Sequence, residues 1–444
     1  MKRPNAVMSA VMSVVVSVVV SVLTSAVLVA PMSAQSLASR VAQAPDGVVR
    51  MQVESRAGVC GNGRDLVGYR NAVFARNFQS FGSHWSNSRC APGPLRVSLT
   101  VDQGQVAQVR TQVGGTWPET EGHVTDLGVV AAPEASAYFF SLVPRLETAG
   151  GKDRMLIPAV LADDVPVIEP LLALARDEKR TLNTRRAAVQ WLGLLGDASV
   201  IPALLQFARD DVDDEGNDKA GKKGLGSAAV AALSALEGDV GVPALIDLAR
   251  TGSVGTRRNA VFWLGQNGDP RGLRTLHTVI ENASEVRRVR THAIFSLSHG
   301  RDTPESEFAY LRALYARIDD DELKEAIIQG MQEDEGGGGR WLIERALDTR
   351  ESTKLRKSAL FWAGQRDATP TAELVRVYRE ADDTRLKEHA IFVLSQRQDD
   401  AATDALMRIA REDGDRTMRG KALFWLGQKD DPRVKKLISD LLLK

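Results

Sequence analysis

The chain has 444 residues, and its 57 Lys and Arg residues balance its 57 Asp and Glu residues, for a formal net charge of zero. Because nucleic-acid binding needs a basic excess that neutralises phosphates, this balance argues against a nucleic-acid partner. A hydrophobic share of 43% with a charged share of 26% is typical of a folded soluble chain, and it excludes a disordered or multi-span membrane protein.

The N-terminus has the pattern of an export signal. A basic start, MKR, precedes a long uncharged segment whose centre is almost wholly apolar. This pattern predicts a signal peptide over residues 1–34, with cleavage after Ala34 or, alternatively, after Ala38. The apolar part is long enough that an uncleaved anchor is the alternative. We expect a periplasmic or secreted protein, with no membrane span in the mature chain if the leader is cleaved.

Residues 46–132 are predicted to form a small β domain. LRVSLTV (Leu95–Val101) and VRTQV (Val109–Val113) alternate apolar and polar residues on either side of a turn, which predicts a hairpin. VVRMQVESR (Val48–Arg56) is predicted to be a third strand, and the Gly-, Asn- and Ser-rich segments between the two cysteines are predicted to be loops.

Cys60 and Cys90 are the only cysteines of the chain. In an oxidising compartment two thiols in one small domain favour a disulfide. The alternative is a metal site, for which His84 is the only histidine in range.

Beyond a predicted helical connector at residues 133–161, one apolar run recurs in the segment 162–444. Each run opens with a small residue that serves as its first position: Ala188, Val230, Ala260, Ala293, Ala326, Ala359, Ala390 and Ala422. The spacings are 42, 30, 33, 33, 33, 31 and 32 residues. A period near 32 predicts a stacked solenoid of about eight two-helix units, in which the run lies on the second helix, helix B.

Dipeptides with Pro in second place are predicted to begin the first helix, helix A, of several units. They are Asp269-Pro270, Thr303-Pro304, Thr369-Pro370 and Asp431-Pro432. The one long spacing reflects a polar, Gly-rich insert at residues 210–224, which is predicted to be a surface loop. The final helix, DPRVKKLISDLLLK, is expected to cap the array.

These runs and their Asp-Pro punctuation resemble the short HEAT-like repeats of phycobilisome lyases and many bacterial proteins. The resemblance covers about residues 164–444 and implies an α-solenoid of HEAT-like helical repeats. Together with the predicted small N-terminal disulfide-stapled β domain and the export signal, it indicates a bacterial exported HEAT-repeat protein. It does not imply one activity, since the family includes scaffolds, chaperone-like lyases and a metal-dependent hydroxylase.

A comparison of the eight runs predicts which face of helix B is buried. The first three positions are mostly small or apolar, with Phe common at the third, and they are expected to build the core. The fourth position varies between Trp, Leu, Ser, Gln and Val. Because an unpartnered polar group is costly to bury, the fourth position is expected to be partly exposed.

The fourth position lies on one helical stripe with the residue four places before it and the residue three places after it. Stacked units would pool these stripes into a surface that binds a protein or an extended peptide, using Trp for contact area and Gln for hydrogen bonds. The predicted partner-binding residues are Trp191, Trp263, Gln266, His292, Ser296, His299, Gln329, Gln332, Trp362, Gln365, His389, Gln396, Trp425 and Gln428. The structural alternative is that Gln caps its own helix and Trp packs on the next repeat.

The sequence offers no pattern for catalysis. It has no His-Glu dipeptide, no G-x-S-x-G and no H-E-x-x-H, and the disulfide would leave no free thiol. We therefore expect no catalytic residue, no bound metal and no cofactor. The predicted function is non-catalytic scaffolding by binding, and the alternative is a lyase- or hydroxylase-like HEAT-repeat enzyme. Basic residues at the start of helix B are interpreted as partners in ion pairs between repeats.

Overall fold

The structure is a computed structural model that describes residues 35–64, 67–70, 72–75, 78–81, 90–147, 153–209, 224–300 and 303–442. The leader, His84 and most of the insert lie outside these residues. Within them the chain forms an α-solenoid preceded by a small β domain with a disulfide. No helix in this part of the chain has both the length and the apolar character that crossing a membrane requires.

The β domain contains two sheets. The strands are β1 (Gly47–Val53), β2 (Val59–Gly61), β3 (Val67–Tyr69), β4 (Ala72–Ala75), β5 (Phe78–Phe81), β6 (Ala91–Pro92), β7 (Leu95–Asp102), β8 (Gln105–Val113) and β9 (Val124–Val130). One sheet has the order β8-β7-β1-β9 and the other β5-β4-β3-β2-β6. All pairings are antiparallel except that of β1 with β9, which is parallel.

The predicted hairpin is present as β7 and β8. Its turn places Gln103 and Gly104 at φ values of 52° and 70°, which suit the right-handed twist of the flanking strands. The prediction of loops between the cysteines was wrong, because β2 to β5 pair there into the second sheet. The predicted disulfide joins Cys60 to Cys90, whose Cα atoms are 5.1 Å apart.

The helices before the array are α1 (Leu37–Ala42), α2 (Ala132–Leu146) and α3 (Ile157–Val160). The A helices of the array are α4 (Ile168–Arg176), α6 (Ile201–Arg209), α8 (Val242–Thr251), α10 (Pro270–Glu281), α12 (Glu305–Tyr315), α14 (Gly338–Leu347), α16 (Thr371–Glu380) and α18 (Asp400–Glu412). The B helices are α5 (Leu182–Leu195), α7 (Gly226–Ala235), α9 (Val254–Asn267), α11 (Arg287–Ser298), α13 (Asp321–Gly330), α15 (Thr353–Gln365), α17 (Thr384–Gln396) and α19 (Arg416–Leu426). An unpaired helix, α20 (Pro432–Leu442), follows.

Each B helix packs against the B helix of the next unit, so the eight form one layer. The buried side chains of the array and of the β domain belong to a single hydrophobic cluster. Such a core grows unit by unit and does not close on itself, as in other solenoids.

The predicted helix starts hold at two of the four Pro dipeptides. Asp269 caps α10 by accepting a hydrogen bond from the backbone N–H of Arg271 at 2.7 Å, and α20 likewise begins at Pro432. At the other two dipeptides the helix begins one residue later, because Pro304 and Pro370 are themselves the N-cap residues of α12 and α16.

The register of the second unit is corrected by one residue. In α7 the buried residues Ala229, Val230 and Leu233 match Ala260, Val261 and Leu264 of α9. The first position of this run is therefore Ala229, not Val230, and its fourth position is Ala232.

The β domain covers the N-terminal end of the array. Arg56 donates from Nε to the carbonyl oxygen of Val160 at 2.8 Å, which ties the segment between β1 and β2 to the end of α3. Arg70 donates to the carbonyl oxygen of Leu194 in α5 at 2.8 Å and pairs with Glu237 at 2.8 Å. Because a solenoid leaves an apolar face open at each end, the β domain acts as its N-terminal cap.

Candidate functional site

The fourth position of helix B faces the neighbouring B helix. Trp191, Ser296 and Val393 are 3%, 0% and 1% exposed. Trp263, Trp362 and Trp425 are half-buried and pack against the core. The expectation of a partly exposed row was therefore wrong for Trp191, Ser296 and Val393, and it holds in part for the other three indoles. Gln329 is also half-buried.

Close helix contacts explain why small residues occupy this position in some units. A Cβ on Gly265, at the sixth position of α9, would lie 2.3 Å from the backbone oxygen of Ser296 in α11. A Cβ on Gly364 would lie 2.2 Å from Cγ1 of Val393 in the same way. A glycine in one unit thus receives the fourth residue of the next unit.

Ser296 is buried, and its hydroxyl has a hydrogen-bond partner. Its hydroxyl donates to the backbone oxygen of His292 in the preceding turn at 2.7 Å. The exchange of Trp for Ser therefore reflects a close helix contact and does not indicate exposure. The prediction of exposure was wrong because the helix itself supplies a hydrogen-bond acceptor for the serine hydroxyl.

The third position was predicted to lie in the core, but its phenylalanine is only partly buried or is exposed in five units. Phe424 is 62% exposed, and Phe262, Phe295, Phe361 and Phe392 are half-buried. Ile328 alone in this row is fully buried. The residue just before each run, which we number position 0, is three residues from the third position, and the third is four residues from the seventh. These three positions share one face of the helix. This face reaches the surface of the B layer at Phe424, whereas the fourth position is fully buried at Trp191, Ser296 and Val393 and half-buried at the other three indoles.

The outer face carries an aromatic ribbon, by which we mean the five outward phenylalanines with three histidines at positions 0 and 7. The histidines are His292, His299 and His389. The ring centroids of Phe262 and His292 are 6.2 Å apart, those of His292 and Phe295 6.0 Å, and those of Phe295 and His299 4.1 Å. Of these contacts, that of Phe262 with His292 joins two units, and the other two lie within the unit of α11.

Two of these histidines are uncharged at neutral pH. Burial, with a smaller contribution from Arg258, lowers the pKa of His292. Burial, with a smaller contribution from Lys357, lowers the pKa of His389 to about 4. Nε2 of His389 is buried with no hydrogen-bond partner among the described residues. Both rings therefore act as aromatic surface.

The glutamines of the seventh position divide into two groups. Gln266 donates from Nε2 to the backbone oxygen of His299 in the next unit at 2.9 Å, and Nε2 of Gln332 lies 3.5 Å from Nε2 of His299. These two amides connect repeats. Gln365, Gln396 and Gln428 are exposed beside the ribbon and are able to donate to and accept from a bound chain.

Arginines at the start of helix B cap helix A of the same unit. Each donates to a carbonyl at the C-terminal end of that helix, where the backbone lacks intrahelical donors. The pairs are Arg185 with Ala175, Arg257 with Gly252, Arg290 with Ile280, Arg356 with Ala346 and Arg419 with Asp413, at 2.6–3.0 Å.

The predicted ion pairs between repeats are present too. Arg257 pairs with Glu285 at 2.9 Å, and Arg356 pairs with Asp382 at 2.8 Å, in both cases with a carboxylate of the next unit. Basic residues at the eighth position of the run cap the C-terminal end of the B helix of the preceding unit. Arg397 donates to the backbone oxygen of Arg366 at 2.9 Å, and Lys429 donates to that of Arg397 at 2.6 Å.

No group of three or more His, Cys, Asp or Glu side chains in the described residues is arranged to hold a metal ion. One His–carboxylate pair lies on the A helices. Nε2 of His277 lies 2.5 Å from Oε2 of Glu307, and the imidazole stacks on Tyr310 with centroids 3.9 Å apart. This pair links α10 to α12 on the side of the array that the A helices form.

The sequence reasoning therefore missed the five phenylalanines as surface residues. The spacing of His292, Phe295 and His299, three and four residues apart, could have placed them on one face. Their apolar character argued for the core, and only the contacts between neighbouring B helices decide which apolar row lies inside.

Two segments of the array match known repeat families. Residues 242–332 match HEAT repeats, and residues 184–210 match the PBS lyase HEAT-like repeat. These segments run from α8 to α13 and from α5 to α6. The chain thus carries HEAT-like repeats. No curated protein matches the chain.

Solved structures with a similar arrangement include human deoxyhypusine hydroxylase in complex with glycerol, at 18% identity and a TM-score of 0.27, with 56% of this chain and 91% of that chain covered. The complex of CpcE and CpcF of phycocyanin lyase from Nostoc sp. PCC7120 has 18% identity and a TM-score of 0.28, with 55% and 94% covered. A designed armadillo repeat protein in complex with the peptide (KR)4 has 14% identity and a TM-score of 0.19, with 59% and 99% covered.

Proposed function

We propose that the protein is a non-catalytic, extracytoplasmic scaffold that holds an extended segment of another protein on the aromatic ribbon. The observation that carries this proposal is the row of outward phenylalanines along the B layer, which ends at the 62% exposed Phe424. Aromatic side chains provide large contact area at a protein interface, and the exposed amides of Gln365, Gln396 and Gln428 supply hydrogen bonds to a peptide backbone.

The binding test uses an array of immobilised 15-residue peptides and the purified protein. We expect Phe262→Ala, Phe361→Ala and Phe424→Ala, combined in one chain, to lose most peptide binding with an unchanged helical circular-dichroism signal. Truncation of the indoles of Trp263, Trp362 and Trp425 is a poorer test, because these rings pack on the core and their loss would destabilise the array.

The matched control combines Arg274→Ala, Glu344→Ala and Arg408→Ala, three exposed positions on A helices. This control is expected to bind the peptides as the wild type does. The proposal fails if the wild type retains no peptide, or if the two triple variants bind equally well.

Export is the second part of the proposal. It is supported by the basic start and apolar centre of residues 1–34 and by the disulfide between Cys60 and Cys90, a bond that persists in oxidising compartments.

We expect the mature chain to begin at Gln35. Cleavage after Ala34 would keep Ser36 as the N-cap of α1 and Leu37 as a 1% exposed side chain, whereas cleavage after Ala38 would remove both. The intact mass of the protein from a fractionated periplasm, or from the culture medium, measures this. A chain that keeps its leader, or that begins at Ser39, would contradict the expectation.

A further inference from the structure

The C-terminal end of the aromatic ribbon contains a groove of about 570 Å³. It crosses the outer face of α15, α17 and α19. Phe392, Phe424 and Trp425 form its apolar floor, with centroids 5.3 Å apart for Phe392 and Trp425 and 5.2 Å for Phe424 and Trp425. The uncharged ring of His389 forms one wall, 5.6 Å from Phe392.

The groove exists because Gly420 has no side chain. In the same register, two residues before the first position, the five preceding units carry Arg258, Thr291, Lys324, Lys357 and Glu388. A Cβ on Gly420 would meet nothing within 4 Å, so the space above it is open. Because Gly420 has an ordinary helical conformation, a larger residue there would fill the groove without strain in the backbone.

The rim of the groove is positively charged. Lys357, Arg385 and Lys421 line it together with a single carboxylate, that of Glu388. Lys421 pairs with Glu388 at 3.2 Å, and Arg385 lies 3.4 Å from the N-cap residue Asp383. No carboxylate of the described residues lies within 4.0 Å of the amine of Lys357, so this cation is available to a ligand.

We propose that this groove binds a segment of another protein in which an aromatic side chain stands next to Asp or Glu residues. The aromatic side chain would pack on Phe424 and Trp425, and the carboxylates would pair with Lys357 and Arg385. An apolar anchor on an aromatic floor and opposite charges at the rim are the complementarity that interfaces use for affinity and specificity. The inference rests on the proposed function and adds to it the place and the chemistry of the partner.

The experiment is isothermal titration calorimetry at low ionic strength with the full-length protein. The probe is the blocked peptide acetyl-Gly-Ser-Asp-Phe-Glu-Ser-Gly-amide. Two matched peptides replace both acidic residues by Lys, or replace Phe by Ser. We expect each of them to bind about tenfold more weakly or worse, since each loses one of the two complementary contacts.

Two variants test whether the peptide binds in this groove. Gly420→Leu fills the groove, and Lys357→Glu reverses the charge of its free cation. Each is expected to weaken binding of the Asp-Phe-Glu peptide about tenfold or more, while both keep the wild-type melting temperature or exceed it. Arg408→Ala, at an exposed position of α18 outside the ribbon and the groove, is the matched control and is expected to leave this affinity unchanged.

Equal binding of the Lys-Phe-Lys peptide, or wild-type affinity in Gly420→Leu, would overturn the inference. Self-association that Gly420→Leu abolishes would also overturn it, because the occupant would then be a second copy of the chain. In each of these cases the proposed function stands if the peptide array still responds to the triple Phe variant. A wild-type protein that binds no array peptide refutes the proposed function itself.

Discussion

At the scale of single residues, the array depends on which side chains are absent. Gly265 and Gly420 are both helical glycines, yet their surroundings differ completely. A Cβ on Gly265 would lie 2.3 Å from the oxygen of Ser296, whereas a Cβ on Gly420 would meet nothing within 4 Å. The same residue type thus permits a close helix contact in α9 and opens a groove in α19.

Gly265→Ala is therefore expected to destabilise the protein by about 1–3 kcal/mol, the usual cost of forcing extra volume into a packed contact. Gly420→Ala is the matched control and should stabilise it by about 0.5–1 kcal/mol, because Ala is the better helix former. Urea unfolding followed by circular dichroism measures both. Equal effects of the two substitutions would show that the contact between α9 and α11 tolerates a methyl group.

His389 gives the stability a pH dependence of known sign. Its pKa is lowered to about 4 in the folded protein from 6.5, chiefly by burial. Between these two values the unfolded chain binds a proton that the folded chain does not, so the free energy of unfolding falls as the pH falls from about 6.5 to about 4. The charge of Lys357 opposes a proton on His389, and a hydrogen bond with the backbone of Lys357 favours it.

His389→Phe should therefore lose less thermal stability than the wild type between pH 7 and pH 4.5. Melting temperatures at a series of pH values test this. Parallel curves for the two proteins would contradict the prediction, whatever the difference in their absolute stability.

At the scale of helices, the repeated Arg before each B run has a structural purpose. Arg356 is 4% exposed, donates to the carbonyl oxygen of Ala346 at 3.0 Å and pairs with Asp382 of the next unit at 2.8 Å. One side chain thus closes the C-terminal end of α14 and fixes the approach of the following unit.

Arg356→Met is expected to lower the free energy of unfolding by about 1.5–3 kcal/mol, the range for hydrogen bonds to charged groups, because the carbonyl is left without its donor. Arg385→Met is the control, since Arg385 is exposed and pairs with Asp383 of its own unit at 3.4 Å. It should change stability by less than about 0.5 kcal/mol. Chemical denaturation measures the free energy of unfolding of both variants. A similar decrease in both would contradict the capping role of Arg356.

At the scale of the whole molecule, the β domain covers one end of an open-ended core. Loss of the disulfide between Cys60 and Cys90 frees a loop of about 30 residues and should weaken the β domain by about 3–4 kcal/mol. In a solenoid each unit contacts only its neighbours, so a weakened cap affects the nearest units most.

The double variant Cys60→Ser with Cys90→Ser is therefore expected to lose hydrogen-exchange protection in the β domain and in α5, while α15 to α19 keep theirs. Hydrogen exchange read by mass spectrometry resolves the two ends of the chain. Uniform loss of protection would mean that the array unfolds as one cooperative unit, and no loss would mean that the disulfide contributes little.

The sequence was sufficient for the features that depend on local chemistry and on periodicity. The hairpin of β7 and β8, the disulfide, the run of paired helices and the caps at Asp269 and Asp431 follow from alternation, from cysteine count, from a period near 32 and from Asp-Pro dipeptides. Each of these signals involves residues close in the chain, or a pattern repeated often enough to average out exceptions.

The outer surface of the array was decided by the tertiary structure alone. Positions three and four of the run are apolar or aromatic in most units and lie about 100° apart on the helix, so helix geometry cannot say which of them meets the neighbouring unit. The contacts of Gly265 with Ser296 and of Gly364 with Val393 turn the fourth position inward in α11 and α17, and Phe424 is left 62% exposed at the third position of α19. Which apolar row is buried depends on how closely two helices approach, and that distance is set by residues some 30 positions apart in the chain.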